Sequence, residues 1–222
     1  MKKIKYSEIT PEKIYKNRRS FIKSLGYGAS SFAVATIPFA NQSQADNRDE
    51  LTSYKDITTY NNYYEFGTSK NDPYINSQNF KTSPWSISIE GEVEIPIKLS
   101  MEEITETIVS EERIYRLRCV EGWSMVIPWL GFSLSKLLSK VNPTNKAKYV
   151  EFESIYDPEQ MNGQKYPILN WPYKEGLRID EAMHPMTTVV TGLYGKKLPN
   201  QNGAPLRIFI PWKYGFKSAK AI

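Results

Sequence analysis

Arg113-Ile114-Tyr115-Arg116-Leu117-Arg118-Cys119-Val120-Glu121-Gly122-Trp123-Ser124-Met125 is the stretch on which the reading of this chain turns. From Arg113 to Val120, Tyr115, Leu117 and Cys119 fall on one side of a two-residue alternation, with Arg116 and Arg118 on the other, the period of a half-buried strand. The strand delivers the single thiol of the 222 residues to its carboxyl end, just before a loop. Three chemistries compete for such a sulfur. It can be an inert, buried small hydrophobe. It can be a nucleophile, but that needs a base, and the single histidine, His184, is distant with no local signature to tie the two together. It can also be one thiolate ligand of a metal that an organic cofactor otherwise holds. One Cys and one His exclude a disulfide within the chain, cysteine zinc or iron–sulfur clusters and multi-histidine metal sites.

Outward from that stretch the pattern is one of short elements. Trp85, Ile87 and Ile89 alternate with Ser86, Ser88 and Glu90 as a strand ending near Gly91. Ser100 followed by Glu103 is a capping box for a helix with Met101, Ile104 and Ile108 as its buried stripe. Ser133 caps a helix carrying Leu134, Leu137, Leu138 and Val141, stopped by Asn142-Pro143. Lys148 to Ile155, Thr187 to Leu193 and Arg207 to Ile210 read as strands, and Ile179 to Met183 as a short helix. Residues 46 to about 58 are polar and read as a loose leader. With 40% hydrophobic and 13% aromatic residues the bulk of the chain folds. Strands and helices interleave without the alternation or glycine fingerprint of a dinucleotide fold, so the expected class is α+β, with mixed sheets and short helices.

The charge is asymmetric. Residues 1–45 hold eight Lys or Arg against two acids, whereas the rest has 21 basic and 22 acidic residues. The overall charge of +5 therefore gives the folded part no global basic face for nucleic acid. The basic stretch leads into Asn17-Arg18-Arg19-Ser20-Phe21-Ile22-Lys23 and a mildly apolar run from Leu25 to Ala40, and ends at Ser43-Gln44-Ala45. It resembles a twin-arginine (Tat) signal peptide covering 1–45, which implies export of a folded protein by the Tat translocon to the periplasm. Folded export, often a sign that a cofactor is inserted in the cytoplasm, favours the third reading of Cys119.

The segment around Cys119 stands in order with Tyr60-Asn61-Asn62-Tyr63-Tyr64-Glu65-Phe66-Gly67, Asn202-Gly203-Ala204-Pro205-Leu206-Arg207 and Trp212-Lys213-Tyr214-Gly215-Phe216-Lys217. Together these four motifs resemble the MsrP (YedY-like) family, catalytic subunits of bacterial periplasmic methionine sulfoxide reductase systems, within the sulfite oxidase fold family. The likeness covers nearly the whole chain. It implies a molybdopterin-binding catalytic domain over 46–222, with Cys119 as the metal ligand and catalytic position. It also implies that Asn61, Tyr64, Glu65, Ser154, Asn202, Arg207, Gly215, Phe216 and Lys217 contact a molybdenum-molybdopterin cofactor. Ser154 stands where the family usually has Thr, which keeps the hydroxyl. Asn62 and Glu121 are candidates for groups adjoining the metal.

The residue types suit those roles. Arg207 and Lys217 can make charge-assisted bonds to a pterin phosphate. Gly215 admits close approach of backbone N–H groups, and Asn and Tyr suit the pterin's polar edge. The activity implied is repair of oxidised periplasmic proteins, methionine sulfoxide being reduced by oxygen-atom transfer to molybdenum, with electrons from the membrane haem b subunit MsrQ. The alternatives are a sulfite dehydrogenase, to which Arg113, Arg116 and Arg118 could offer cations, and an exported cofactor-free binding protein. The last residues, Lys217 to Ile222, read like the beginning of a strand, and family members continue further, so the domain is expected to be incomplete at its carboxyl end.

Overall fold

The computed structural model describes residues 50–222. The twin-arginine motif, the 25–40 run and the Ser43-Gln44-Ala45 site lie outside the described residues. Fourteen short elements follow: α1 (Tyr54–Thr59), α2 (Asp72–Asn76), β1 (Ser86–Ile89), β2 (Ile97–Ser100), α3 (Met101–Thr107), β3 (Glu111–Arg118), β4 (Ser124–Ser133), α4 (Leu134–Leu138), β5 (Tyr149–Glu153), β6 (Lys174–Arg178), α5 (Ile179–Ala182), β7 (Thr188–Leu193), β8 (Lys196–Lys197) and β9 (Arg207–Phe209).

The main sheet has the order β3-β4-β7-β8, with β9 also on β7. Two-stranded ladders β1-β2 and β5-β6 flank it. Strand β4 is its axis. Met125, Val126, Ile127, Trp129 and Phe132 are all buried, and a run of that kind, apolar on both faces, has no two-residue alternation by which to announce itself. The sequence reading accordingly leaves β4 unassigned, although it is the longest strand. The β4–β7 register shifts between Leu130 and Gly131, and Gly131 is required there because a Cβ would lie 2.1 Å from the Val189 carbonyl oxygen. One face of the sheet packs Phe132, Val189 and Ile208 against α3, α4 and the β5-β6 ladder. The other carries Leu117, Met125, Ile127, Trp129, Val190 and Phe209.

The capping box of α3 is present in full, Glu103 N donating to Ser100 Oγ (3.1 Å) and Ser100 N to Glu103 Oε2 (2.7 Å). Ser133 stands at the N-cap of α4 but makes no capping bond. Its hydroxyl donates instead to the Pro185 carbonyl and accepts from Arg113 (3.1 Å), which ties the helix start to β3. The loose leader is a correction: residues 54–59 form helix α1. Ser53 caps it by accepting from Asp56 N (3.1 Å), Ile57 is 1% exposed, and Thr52 exchanges two 3.0 Å bonds with Val126 of β4. A single buried isoleucine in polar surroundings gives no helical stripe to read, so the helix depends on these tertiary contacts.

A small aromatic core holds the chain that follows α1. Tyr63, Phe66, Phe80 and Trp85 stack edge to face in series, with centroids 5.0, 5.5 and 5.9 Å apart. The turn at Tyr64–Phe66 is clamped from outside by Gly163, where a Cβ would come 2.0 Å from the Tyr64 carbonyl oxygen. Gly163→Ala is expected to cost about 1–3 kcal/mol by overpacking this contact, read as a lower chemical-denaturation midpoint; unchanged stability would show that the clamp is not tight.

Candidate cofactor site

Cys119 sits in the turn that joins β3 to β4. Its N–H donates to the Trp123 carbonyl (2.9 Å), Gly122 N–H returns to the Cys119 carbonyl (3.1 Å), and Gly122 takes φ +89°, a conformation that costs glycine little. Two donors converge on the sulfur: Asn62 Nδ2 at 3.0 Å and the Glu121 backbone N at 3.5 Å. They complement the negative charge that a metal-binding sulfur carries.

The sulfur forms part of the wall of a cavity of about 330 Å³. Leu117, Met125, Ile127 and Trp129 of the β3-β4 hairpin give it an apolar floor, and Asn61, Asn62, Tyr64 and Glu65, held by the aromatic core, form one side. Asn202, Arg207, Gly215 and Phe216 close the other. Asn202 Nδ2 donates both to the Ile57 carbonyl (3.0 Å) and to Asn61 Oδ1 (3.1 Å), so that helix α1 and the two asparagines are fixed together. The Arg207 guanidinium donates to the Asn202 and Ser218 carbonyls (3.0 and 3.4 Å) and lies 5.3 Å from the Trp129 ring centroid. At the mouth Glu121 accepts from Lys70 (2.9 Å), Trp123 Nε1 (3.1 Å) and Tyr64 OH (3.4 Å). The Lys70 hydrogen bond, then that of Trp123, holds the Glu121 carboxyl below the usual range.

Cys119 and the predicted residues Asn61, Asn62, Tyr64, Glu65, Glu121, Asn202, Arg207, Gly215 and Phe216 thus share one cavity, although they come from four distant segments. Two others do not reach it. Lys217 ion-pairs with Glu175. Ser154 borders a second groove, of about 1020 Å³, between β1, α4 and β5; its backbone N–H bonds the carbonyl of Tyr173 (2.9 Å), which does line the cavity. The structure adds lining residues that sequence reasoning missed, among them Tyr60, Trp123, Trp129, Tyr173 and Lys220. Burial pulls the Lys220 ammonium down to about 8, and the Arg207 charge adds to the effect.

The cavity suits a polar, anionic, multi-ring ligand. Asn61 Nδ2, Asn62 Oδ1, Asn202 Oδ1 and Trp129 Nε1 are buried in its walls without a hydrogen-bond partner, and a buried polar atom left unpaired is costly. Among the described residues no group of three or more His, Cys, Asp or Glu side chains could hold a metal ion, so a metal ligated by Cys119 needs its other ligands from an organic group. The residues present fit a metal-bearing pterin.

The chain matches the oxidoreductase molybdopterin-binding domain family over residues 74–222. Similar curated relatives are the protein-methionine-sulfoxide reductase catalytic subunits MsrP of Xanthomonas axonopodis pv. citri, 53% identical over 97% of this chain and 71% of the relative, and of Burkholderia mallei, 48% identical over 97% and 70%. This chain belongs to the MsrP family. Its MsrP-type fold also resembles that in the crystal structure of the sulfane dehydrogenase SoxCD from Paracoccus pantotrophus, with a TM-score of 0.53 at 12% identity. That likeness covers 96% of this chain and 58% of the other, and it speaks for the fold alone, a molybdopterin-binding sulfite oxidase-type fold as expected from sequence.

Glu65 gives the site a pH signature. It is 4% exposed, and burial raises its pKa, with the Lys220 charge as the main opposing influence. A carboxyl with a raised folded-state pKa adds stability below its unfolded pKa and loses it as pH rises through the folded one. In cofactor-free protein, Glu65→Gln should therefore match wild type in melting temperature at acid pH and exceed it progressively above the ordinary carboxylate range. A constant difference across pH would show that Glu65 titrates alike in the folded and unfolded chain, with no upward shift from burial.

Proposed function

We propose that the chain is the catalytic part of a periplasmic, molybdopterin-dependent reductase that repairs oxidised proteins by returning methionine sulfoxide to methionine. One observation carries this reading: the Cys119 sulfur, with two N–H donors on it, borders a cavity whose walls hold four unpaired polar atoms and a buried arginine. The relatives' identity of about half over nearly the entire chain supports the substrate class.

In this reading Cys119 is the protein's ligand to molybdenum, and Asn61, Tyr64, Glu65, Asn202 and Arg207 grip the pterin. Gly215 and Phe216 cover one side, and Lys217 braces that turn through Glu175 while Ser154 supports it from behind through Tyr173. The cofactor, when bound, supplies two-electron oxygen-atom-transfer chemistry. The net reaction consumes two electrons and two protons per sulfoxide and releases the thioether and water.

The protein's own contribution is positional. Asn62 fixes the sulfur by its 3.0 Å bond. Glu121, kept ionised by Lys70 and Trp123, is a hydrogen-bond acceptor beside the sulfur rather than a proton source near neutral pH. Tyr60, Val120 and Phe216 line the cavity and are also exposed, so the mouth is open to a side chain that arrives on another polypeptide. The haem b membrane subunit MsrQ is the proposed electron donor, and Tat export the proposed route to the periplasm.

A sulfite dehydrogenase is the lesser reading, because Arg113, Arg116 and Arg118 do not line the cavity. Arg113 is bound to Glu111 and Ser133, and Arg118 to the Pro211 carbonyl (3.2 Å). Cofactor-loaded protein supplied with a chemical electron donor should reduce methionine sulfoxide in a peptide and show little sulfite oxidation. Cys119→Ser should lower the reductase activity by three orders of magnitude or more. A Cys119→Ser protein that reduces the peptide at the wild-type rate, or a wild type that prefers sulfite, would overturn the proposal.

A further inference from the structure

The mouth of the cavity is edged by apolar side chains from four parts of the chain. Tyr60, Val120, Leu169 and Phe216 line the cavity, yet between 36% and 63% of each stays exposed. Tyr214, itself exposed, extends this edge outward: its ring is nearly parallel to that of Phe216, with centroids 6.3 Å apart. Single exposed hydrophobic side chains are ordinary, but several that gather around one opening mark a binding surface.

The rim is built rather than loose. Leu169 stands in the loop 166–173, which closes on itself where Trp171 Nε1 and Ile168 N both donate to the Tyr166 carbonyl (2.8 Å each). Tyr173 OH then ties this loop to the Tyr214–Phe216 turn by donating to the Phe216 carbonyl (2.8 Å). On the other segments Val120 follows Cys119 in the β3-β4 turn, and Tyr60 packs edge to face on Trp123, with centroids 5.2 Å apart. The charges beside these residues are already paired, Lys70 with Glu121 and Lys217 with Glu175. Such a rim selects by apolar contact rather than by charge.

A sulfoxide carried on a polypeptide enters between these side chains, so the residues on either side of it come to rest on the rim. We infer that Leu169 and Tyr214, together with Val120 and Tyr60, bind the apolar residues that flank methionine sulfoxide in a substrate polypeptide, and so determine which sulfoxides are accepted. This rests on the functional reading above. Neither Leu169 nor the loop that carries it belongs to the four motifs. Flank contacts are made equally before and during the reaction, so their loss falls on KM and leaves kcat in place.

The test compares wild type, Leu169→Ser, Tyr214→Ser and, as a surface control, Tyr149→Ser, whose ring is exposed at the second groove. Each full chain is produced in a host that makes the cofactor and is supplied with a chemical electron donor. The substrates are acetyl-Leu-(methionine sulfoxide)-Leu-amide, the same peptide with Gly flanks, and dimethyl sulfoxide, which has no flanks. Binding of the labelled leucine peptide is followed separately by fluorescence anisotropy. Wild type should favour the leucine over the glycine peptide by about ten-fold in kcat/KM. Leu169→Ser and Tyr214→Ser should each raise KM and Kd for the leucine peptide by about five-fold, with the ratio of its kcat/KM to that of dimethyl sulfoxide falling equally. Tyr149→Ser should match wild type. Equal use of the two peptides by wild type overturns the inference. So does a loss in both variants that is the same for all three sulfoxides, which would mark residues acting on the fold or the metal centre. A molybdenum-loaded wild type that reduces none of the three overturns the functional reading, and the inference with it.

Discussion

The site depends on one bond made across 57 residues of chain, from Asn62 Nδ2 to the Cys119 sulfur at 3.0 Å. For that contact to exist, the hairpin β3-β4 must present the turn at 119–123, and the segment after α1 must be carried back over it. The first requirement is met locally, by the Cys119–Trp123 backbone bond and the glycine at 122. The second is met at a distance: Thr52 is stitched to Val126, Asn202 bonds the end of α1, and the Tyr63–Phe66–Phe80–Trp85 series anchors the turn that follows.

The cavity is expensive to the empty fold. Four unpaired polar atoms, a buried arginine with a half-buried lysine facing it and a buried carboxyl with a raised pKa would each favour rearrangement or hydration in a protein selected for stability alone. They persist because the surrounding structure over-determines their positions: apolar strands beneath, an aromatic core on one side and the 200–207 loop on the other. A ligand that pairs those atoms and charges recovers this energy on binding, so cofactor loading and folding stability are coupled.

Much of this was legible in the sequence where a local rule acts. The α3 capping box, the alternation of β3 that ends at the thiol and the mixed α+β class all follow from neighbours within a few residues. Asn61, Asn62, Glu121, Asn202 and Arg207 were instead singled out by the resemblance that the four ordered motifs carry, and the fold brings them to one cavity. What stayed hidden depends on contacts between distant segments. Strand β4 is buried on both faces and so lacks alternation, and α1 has no apolar stripe and is held by Thr52 and Asn202. Lys220 and Lys217 are indistinguishable by residue type; the fold sets Lys220 in the cavity wall opposite Arg207 and Lys217 against Glu175.

The central claim is that the Cys119 sulfur is a ligand of molybdenum. Because the chain has a single cysteine, selenocysteine can be installed at that position alone, and X-ray absorption at the molybdenum edge then reports its neighbours. A molybdenum–selenium scattering path in cofactor-loaded protein is the predicted result. A molybdenum shell with no selenium contribution would contradict the account.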